Sequence, residues 1–394
     1  MRYTGVTSRG IITPIFQKGD DLVKSITKSI LDASANEDFA LQDGDIVGVT
    51  EAVVARTQGN YATCDQIAAD LRAKFGGKEL GIVFPILSRN RFSILLKAIA
   101  MSTEKLYIQL SYPSDEVGNL LMERDIFDEA GVNPYSDSFT EEEFRKVFPK
   151  ESTVHRFTGV DYIEFYKSFN SNIEIIFSND PTYILKYTKN VLNCDIHSRF
   201  RTQKLLKKNG VEISYRMDEI LTSPVDGSGC NEQYGLLGSN KATEDMVKLF
   251  PRDTQAFVDA LAASLNDATG KKMEVLIYGD GCFKDSVGGI WELADPVVSP
   301  AFTERLRGTP NELKMKYFAD NDFSNLSGEE LAEAMREKIR EKDGSLVGNM
   351  TAQGTTPRQL TDLIGSLCDL TSGSGDRGTP VVLIQNYFTN FASE

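Results

Sequence analysis

The hydrophobic pattern of the chain predicts several buried strands, each followed directly by polar residues. The run 46–49 is β-branched except for one glycine, and it ends at Thr50-Glu51. A second apolar run, 81–87, contains a proline and leads into a segment with two arginines. A third, 274–278, ends in a Gly-Asp-Gly turn around Asp280. Short apolar runs of this kind are typical of strands in sheets that are covered on both faces.

Amphipathic spacing between these runs predicts helices. Asp20-Asp21 precede a segment with Leu22, Ile26 and Ile30 on one helical face, and acidic residues favour the positive end of a helix dipole. Further helices are predicted at 64–75, 140–148, 182–192, from 254, at 327–341 and at 357–368. Strands and helices that alternate in this way predict an α/β protein of mixed α+β type.

Composition and charge exclude several classes of protein. A formal net charge of −14 over 394 residues argues against a surface for nucleic acid. No apolar stretch is long enough to span a bilayer, and the amino terminus does not resemble a signal peptide. The five cysteines lack C-x-x-C spacing, which indicates a reducing compartment, and we expect a cytoplasmic protein. With two histidines, any metal would be a hard cation held by oxygen ligands.

The polar ends of the predicted strands are the candidate sites. Open α/β sheets bind ligands at the carboxyl ends of their strands, which singles out Thr50-Glu51 and Asp280. A solvated strand exit at Thr50 and a plain turn at Asp280 are the alternatives, and each is favoured when its segment is considered alone. At Arg89 and Arg91 a solvated turn is the favoured interpretation. The three strand ends considered together favour a functional site.

Changes in character along the chain predict its organisation. From about residue 105 to 209 the sequence is richer in aromatic and charged residues. We therefore predict a core from 1–110 and 210–300, an inserted α+β lobe at 111–209, and a carboxyl-terminal α/β part at 301–394. The purpose of the lobe is left open, with an acceptor pocket as one interpretation.

Three glycine-rich loops lack the spacing of a known phosphate motif. The loops 225–229 and 235–240 match neither the Rossmann nor the P-loop pattern. The loop 371–378 is either flexible or a nest for phosphate, and it comes directly before an apolar strand at 379–385.

Several segments together resemble the coenzyme F-420 gamma-glutamyl ligases. The segment GDDL at Gly19–Leu22 and the stretch DGDIVGVTEAVVARTQG at 43–59 resemble the amino-terminal signature of that family. The loop 235–240 and the residues 248–253 resemble its A-G-V-D-x-S-N and L-L-P-x-D segments. The end of the run 274–278 resembles a second strand that ends in an aspartate.

The resemblance implies a ligase that uses GTP and Mg²⁺ or Mn²⁺ to join L-glutamate to a carboxylate acceptor, through an acyl phosphate. In the family the acceptor is a deazaflavin with a phospholactate tail. The implied nucleotide-binding residues are Thr13, Pro14, Thr50, Glu51, Arg56 and Asn240. Asp280 is the implied metal ligand, and we expect Asp226 to assist it because the family's other aspartate falls on or beside Gly238. No catalytic side chain is assigned.

We expect only small-molecule partners, no nucleic acid and no membrane, and we expect a homodimer. Other interpretations stay open. Thr13-Pro14 fits a simple bend as well as a nucleotide contact. The protein could use the same chemistry on a different acceptor, or it could be a non-catalytic nucleotide- or metabolite-binding module, as the change near Gly238 suggests. A similarity at the level of the fold alone is the last alternative.

Overall fold

The computed structural model describes residues 3–155, 158–279, 297–353, 358–372 and 375–393. Within these ranges the chain is a mixed α/β protein with three sheets, as predicted. The strands are β1 (Thr7–Ile11), β2 (Ile46–Thr50), β3 (Tyr61–Thr63), β4 (Glu79–Val83), β5 (Lys105–Leu110), β6 (Ser138–Thr140), β7 (Ile173–Ser178), β8 (Asn190–Asn193), β9 (Ile213–Arg216), β10 (Asn240–Lys241), β11 (Met246–Lys248), β12 (Glu274–Tyr278), β13 (Ala301–Phe302) and β14 (Val381–Gln385).

The α-helices in the same ranges vary from one and a half turns to more than four. They are α1 (Leu22–Asn36), α2 (Glu51–Gln58), α3 (Cys64–Phe75), α4 (Phe92–Met101), α5 (Arg124–Glu129), α6 (Glu141–Val147), α7 (Tyr162–Lys167), α8 (Arg199–Lys208), α9 (Thr254–Thr269), α10 (Met315–Asp320), α11 (Gly328–Arg340) and α12 (Leu360–Thr371). Short 3-10 helices cover Lys150–Thr153, Tyr183–Lys186, Met217–Glu219 and Glu304–Leu306. None of the described helices is long and apolar enough to cross a membrane.

Capping residues fix several helix starts where the sequence predicts them. The Asp21 carboxylate accepts the N–H of Lys24 at 3.0 Å, at the start of α1. Thr140 and Glu143 form the predicted capping box of α6, with the Thr140 N–H donating to the Glu143 carboxylate at 2.8 Å. Such side chains satisfy N–H groups that a helix leaves without a partner in its first turn. These helix starts are therefore determined locally.

The predicted helix at 182–192 is wrong. The structure has a short 3-10 helix there, followed by β8, in which Val191 and Leu192 lie opposite Gly81 and Ile82 of β4. Apolar spacing over so short a segment fits a helix and a buried strand equally well. Pairing with β4 decides in favour of the strand.

The first sheet has the order β1-β14-β2-β12-β13, with β2 and β12 parallel at its centre. Helices α1 and α9 cover one face and α12 covers the other, and both faces are buried among apolar side chains. This explains the continuous apolar runs in β2 and β12. A Cβ at Gly48 would lie 2.3 Å from Sγ of Cys368 in α12, so glycine permits the close approach of that helix.

The second sheet has the order β6-β7-β5-β4-β8-β9, and β6 is its one antiparallel strand. Within this sheet, β4 is the first strand in chain order. The strands β5 and β7 follow on one side of it, and β8 and β9 then follow on the other side. This is doubly wound topology, and its switch point lies between β4 and β8. The sheet extends across the predicted boundaries at 110 and 209, because β5 precedes the first and β9 follows the second.

Candidate functional site

The carboxyl ends of β2 and β12 lie side by side at one edge of the first sheet. The two strands are parallel, and their register pairs Thr50 with Tyr278. The Thr50 N–H donates to the Pro380 carbonyl at 3.0 Å, which attaches the start of β14 to the same edge. A cavity of about 430 Å³ lies here. Its described lining residues are Thr13, Pro14, Ile15, Phe16, Thr50, Ala52, Val53, Arg56, Tyr61, Asn240, Lys241, Ala242, Lys248, Gly375, Gly378 and Pro380.

Two irregular segments form one side of the cavity. Strand β1 ends at Ile11, and the chain then passes through Thr13 and Pro14, where proline has no N–H for a sheet. The Thr13 N–H donates to the carbonyl of Gly378 at 3.2 Å. Gly378 has a φ of 66°, a left-handed conformation that suits glycine. The glycine-rich turn before β14 and the predicted Thr13-Pro14 segment therefore meet at the cavity.

The third sheet forms the opposite side. Its order is β10-β11-β3, and its register places Asn240 opposite Lys248 and Lys248 opposite Tyr61. All three residues line the cavity. The Lys241 N–H donates to the Asn90 carbonyl at 2.8 Å, so the loop after β4 is hydrogen-bonded to the β10–β11 hairpin.

Arg56 is fixed by the backbone of the neighbouring segment. It lies in the last turn of α2, and its Nε donates to the Phe16 carbonyl at 2.6 Å. One terminal nitrogen lies 3.5 Å from the side-chain oxygen of Gln17. The side chain is exposed and lines the cavity. It is thus a surface residue that is also positioned to meet an anion, a role that suits the planar guanidinium.

The structure brings together residues that are far apart in the sequence. Five of the six predicted nucleotide-binding residues line the cavity, namely Thr13, Pro14, Thr50, Arg56 and Asn240. Glu51 does not: it is 5% exposed, and both of its carboxylate oxygens lie 2.5 Å from Nζ of Lys248. Glu51 therefore contacts Lys248, which lines the cavity, and is not itself part of the described lining.

Sequence reasoning missed three cavity-lining residues of the third sheet: Tyr61, Lys241 and Lys248. Only Lys248 carries a signal in the sequence, because it is a lysine within the apolar run Val247-Lys248-Leu249-Phe250. A lysine is almost never fully buried without a partner, so this position predicts a buried carboxylate elsewhere. The identity of that carboxylate could not be read from the sequence.

The cavity is lined by cationic side chains in an acidic protein. Arg56, Lys241 and Lys248 line it, and none of its described lining residues is acidic, but Lys241 is paired with Glu244 at 2.6 Å and Lys248 with Glu51 at 2.5 Å. The whole chain has a formal net charge of −14. A concave surface with one sign of charge concentrates ligands of the opposite sign. The site is therefore suited to an anionic ligand.

Of the two predicted metal ligands, only Asp226 lies within the described residues. Asp226 is exposed in the loop after α8 and β9, its carbonyl accepts a hydrogen bond from Gln66 at 2.9 Å, and it does not line the cavity. Asp280 lies outside the described residues. Gly279, directly before it, donates its N–H to the Val298 carbonyl at 2.7 Å, beside the strand end that is paired with Thr50. No group of three His, Cys, Asp or Glu side chains able to hold a metal occurs in the described ranges.

The switch point of the second sheet has a different character. Asp115, in the loop after β5, accepts the N–H of Leu87 in the loop after β4 at 2.7 Å. The next residue, Glu116, accepts the N–H groups of Ile196, His197 and Ser198 at 2.6 to 3.1 Å, directly before α8. Two carboxylates of the chain itself thus connect the loops on both sides of this crevice.

Burial changes the acidity of two aspartates in this region. It raises the pKa of Asp115 to about 6, although the hydrogen bonds that its carboxylate accepts, from Leu87 among others, lower the pKa and oppose this shift. It also raises the pKa of Asp195 to about 7, against a hydrogen bond from Thr202. The remaining space in this region, about 30 Å³, is lined mainly by apolar residues, and neither aspartate lines it. Its volume is enough for roughly one water molecule. Arg91 and Gly238 lie along this space and not along the cationic cavity.

The family comparison agrees with the resemblance in the sequence. The family model described as F420-0:gamma-glutamyl ligase matches residues 10–386, a range that includes the predicted lobe at 111–209. No curated protein matches the chain. Because the family match covers almost the entire chain, this protein belongs to the F420-0:gamma-glutamyl ligase family.

Proposed function

We propose that this protein is a GTP- and divalent-cation-dependent ligase that joins L-glutamate to the carboxylate of a small-molecule acceptor. Membership of a gamma-glutamyl ligase family supports the reaction class. The observation that carries the proposal further is the cationic cavity at the ends of β2 and β12, since five of the six residues implied as nucleotide contacts line it.

The reaction has two balanced steps. The acceptor carboxylate attacks the γ-phosphorus of GTP, which forms an acyl phosphate and releases GDP. The glutamate amine then attacks the acyl carbon, loses a proton, and expels inorganic phosphate as the amide forms. Neither step needs a protein nucleophile, so positioning and charge neutralisation are the main contributions of the chain.

The cavity offers groups for both contributions. We assign Arg56 and Lys241 to the phosphate chain, because they are the exposed cations of the lining; Arg56 is the primary contact, since Lys241 is paired with Glu244 at 2.6 Å. Thr13, Thr50 and Asn240 supply neutral polar groups, and the turn with Gly375 and Gly378 brings backbone close to the ligand. The apolar part of the lining, with Pro14 and Ile15, suits a base or ring.

A divalent cation, Mg²⁺ or Mn²⁺, would offset charge on the phosphates. The described residues alone do not provide its ligands, because they contain no carboxylate cluster of suitable size. The proposal for a metal therefore depends on Asp280, which follows the described end of β12, and we derive no step from the metal. Asp226 stays a predicted ligand, and it lies outside the lining of the cavity.

The cationic cavity also fits a second candidate function. A nucleotide- or metabolite-binding module without catalysis would need the cavity but no complete metal site. The absence of a carboxylate cluster from the described ranges and the glycine at position 238 fit that function. A ligase with another acceptor fits the cavity equally well, since the acceptor is not identified by these residues.

We further propose a homodimer in the cytoplasm, where GTP is available. The four described cysteines are buried and unbridged, which suits a reducing compartment. β1 is an edge strand of its sheet as described, and Ile12, directly after it, is 75% exposed and outside the lining of the cationic cavity. A second copy of the chain would cover this apolar edge. Analytical ultracentrifugation tests this, and a monomer at micromolar concentration would contradict it.

The decisive experiment combines binding and turnover. GTP with Mn²⁺ or Mg²⁺ should raise the melting temperature, since a ligand that binds only the folded state stabilises it. With L-glutamate and F420-0 present, the protein should release GDP and add the mass of one glutamyl residue to the acceptor. Nucleotide stabilisation without GDP release would favour the binding module. No shift with any nucleotide at millimolar concentration would refute the proposed enzyme.

A further inference from the structure

One wall of the cationic cavity is a row of three side chains across the third sheet. Asn240, Lys248 and Tyr61 lie directly opposite one another on β10, β11 and β3. Directly opposite residues project to the same face of a sheet, and all three line the cavity. Lys248 is the central member of this row and its one charged member.

Lys248 is held by a single carboxylate. It is 8% exposed, and its Nζ lies 2.5 Å from each oxygen of Glu51, the first residue of α2. An ammonium group has three N–H donors. Glu51 can accept two of them, so the third has no acceptor among the described residues of the chain. The ion pair therefore leaves one charged donor beside the cavity.

We propose that Lys248 donates this third hydrogen bond to a phosphate oxygen of the ligand, and that Glu51 is the positioning residue that holds the lysine in place. The inference rests on the proposed function, because the anion is taken to be the phosphate chain of a nucleotide. It adds a contact that the resemblance does not assign, and it changes the role of Glu51 from ligand contact to support.

The surroundings of the pair support a role in binding. Burial of two opposite charges costs desolvation, so a buried pair is weak evidence for a contribution to stability. This pair joins the end of β2 to the hairpin, and its cationic half faces the cavity that lies between them. A phosphate that reaches Lys248 would also lie near Thr50 and Asn240, which line the same space.

Four variants distinguish a phosphate contact by Lys248 from the positioning of Lys248 by Glu51. Lys248→Met removes the cation but leaves the buried Glu51 carboxylate without the lysine that offsets its charge, so the protein could fail to fold. The double variant Lys248→Met with Glu51→Gln removes both charges and avoids that outcome. Glu51→Gln keeps the lysine and removes its anchor, and Lys248→Arg keeps the charge. Lys74→Met is the matched control, because Lys74 is partly buried and paired with Asp70 away from the cavity.

Binding of GTP and of inorganic tripolyphosphate is measured by calorimetry for the parent and each variant. The double variant should bind both ligands about 10- to 100-fold more weakly than the parent, the range for a hydrogen bond to a charged group. Lys248→Arg should recover most of the affinity, and Lys74→Met should bind like the parent. Glu51→Gln should bind both ligands more weakly than the parent but more tightly than the double variant, because the cation is retained while its anchor is lost.

Two results among the variants would overturn the proposal. A folded double variant that binds tripolyphosphate as tightly as the parent shows that Lys248 has a structural role only. Equal losses in Glu51→Gln and in the double variant show that the intact pair, and not the lysine, determines affinity. Failure of the parent to bind GTP, with tripolyphosphate still bound through Lys248, would instead refute the nucleotide. A parent that binds neither ligand would refute both.

Discussion

The molecule has two places where parallel strands end side by side, and they differ in what lies at the strand ends. At the ends of β2 and β12 a cavity of about 430 Å³ is lined by three cationic side chains. At the ends of β4 and β8 the remaining space is about 30 Å³, and carboxylates of the chain itself, Asp115 and Glu116, bind the loops on either side. The first place, the open end, is accessible and has in Arg56 a cation without an acidic partner among the described residues. The second place, the closed end, is occupied by the chain's own anions.

The comparison shows how far topology predicts a ligand site. A switch point such as the one between β4 and β8 is where doubly wound sheets usually bind ligands. Here the N–H groups of residues 196–198, which could bind an anion, already bind Glu116. The β2 and β12 ends belong to a sheet without that topology, yet they hold the cavity. The two places therefore differ in whether side chains of the protein already fill the space and bind the N–H groups at the strand ends. Strand order does not predict this difference.

The largest expected effect is at the open end. We predict that Asp280→Asn lowers Mn²⁺ affinity, measured with GTP present, by about 100-fold, because a hard cation needs the full carboxylate charge. Asn forms turns as well as Asp, so the melting temperature without ligand should change little. Asp226→Asn tests the other predicted ligand, and Asp267→Asn is the matched control, since it changes an exposed aspartate of α9 outside the cavity lining. Equal Mn²⁺ affinity in Asp280→Asn and the parent would remove Asp280 from the site.

Removal of Glu116 should make the closed end able to bind an anion, as proposed for the open end. Glu116→Ala removes the acceptor of three backbone N–H groups, and we expect a loss of about 2 kcal/mol in the free energy of unfolding. Millimolar phosphate should restore part of this loss by binding the vacated N–H groups. Urea denaturation of the variant with and without phosphate measures both effects. Glu151→Ala, at an exposed glutamate, should show neither.

Arg56 tests the charge of the open end. We expect Arg56→Ala to weaken GTP binding about tenfold, or about 1.4 kcal/mol, because one charged contact is lost. The free energy of unfolding should be nearly unchanged, since the side chain is exposed. Calorimetric titration measures the affinity. Binding equal to that of the parent would show that Arg56 contributes to the surface only.

The pH dependence of stability should originate at the closed end. The pKa of Asp195 in the folded protein is raised to about 7 by burial, so the folded state retains a proton that the unfolded state loses above about pH 4. Its contribution is therefore greatest at low pH and is lost as the pH rises from about 4 to 7.

Asp195→Asn should remove part of this decrease and stabilise the protein by about 1 kcal/mol at pH 8, because no buried charge forms. The amide oxygen can still accept the hydrogen bond from Thr202. Urea denaturation at pH 5 and pH 8 measures the effect, and GTP affinity should be unaltered. A parallel decrease with pH in the parent and the variant would assign the pH dependence to other groups.

Local patterns in the sequence determined most of the elements and part of the site. The cap at Asp21, the box at Thr140 and Glu143, and the apolar runs of β2 and β12 follow from neighbouring residues, so they could be predicted. The family resemblance supplied Thr13, Pro14, Thr50, Arg56 and Asn240, which line one cavity. At 182–192 the local pattern was ambiguous, and the predicted helix was wrong.

Only the tertiary structure decided which of these elements meet. The parallel register of Thr50 with Tyr278, the pairing of Glu51 with Lys248, and the closure of the switch point by Glu116 each join residues that are far apart in the chain. The sequence around a carboxylate does not indicate which cation or amide it will bind in the folded protein. That choice depends on long-range packing and on the need to satisfy buried charges and N–H groups, which arise only when the sheets are assembled.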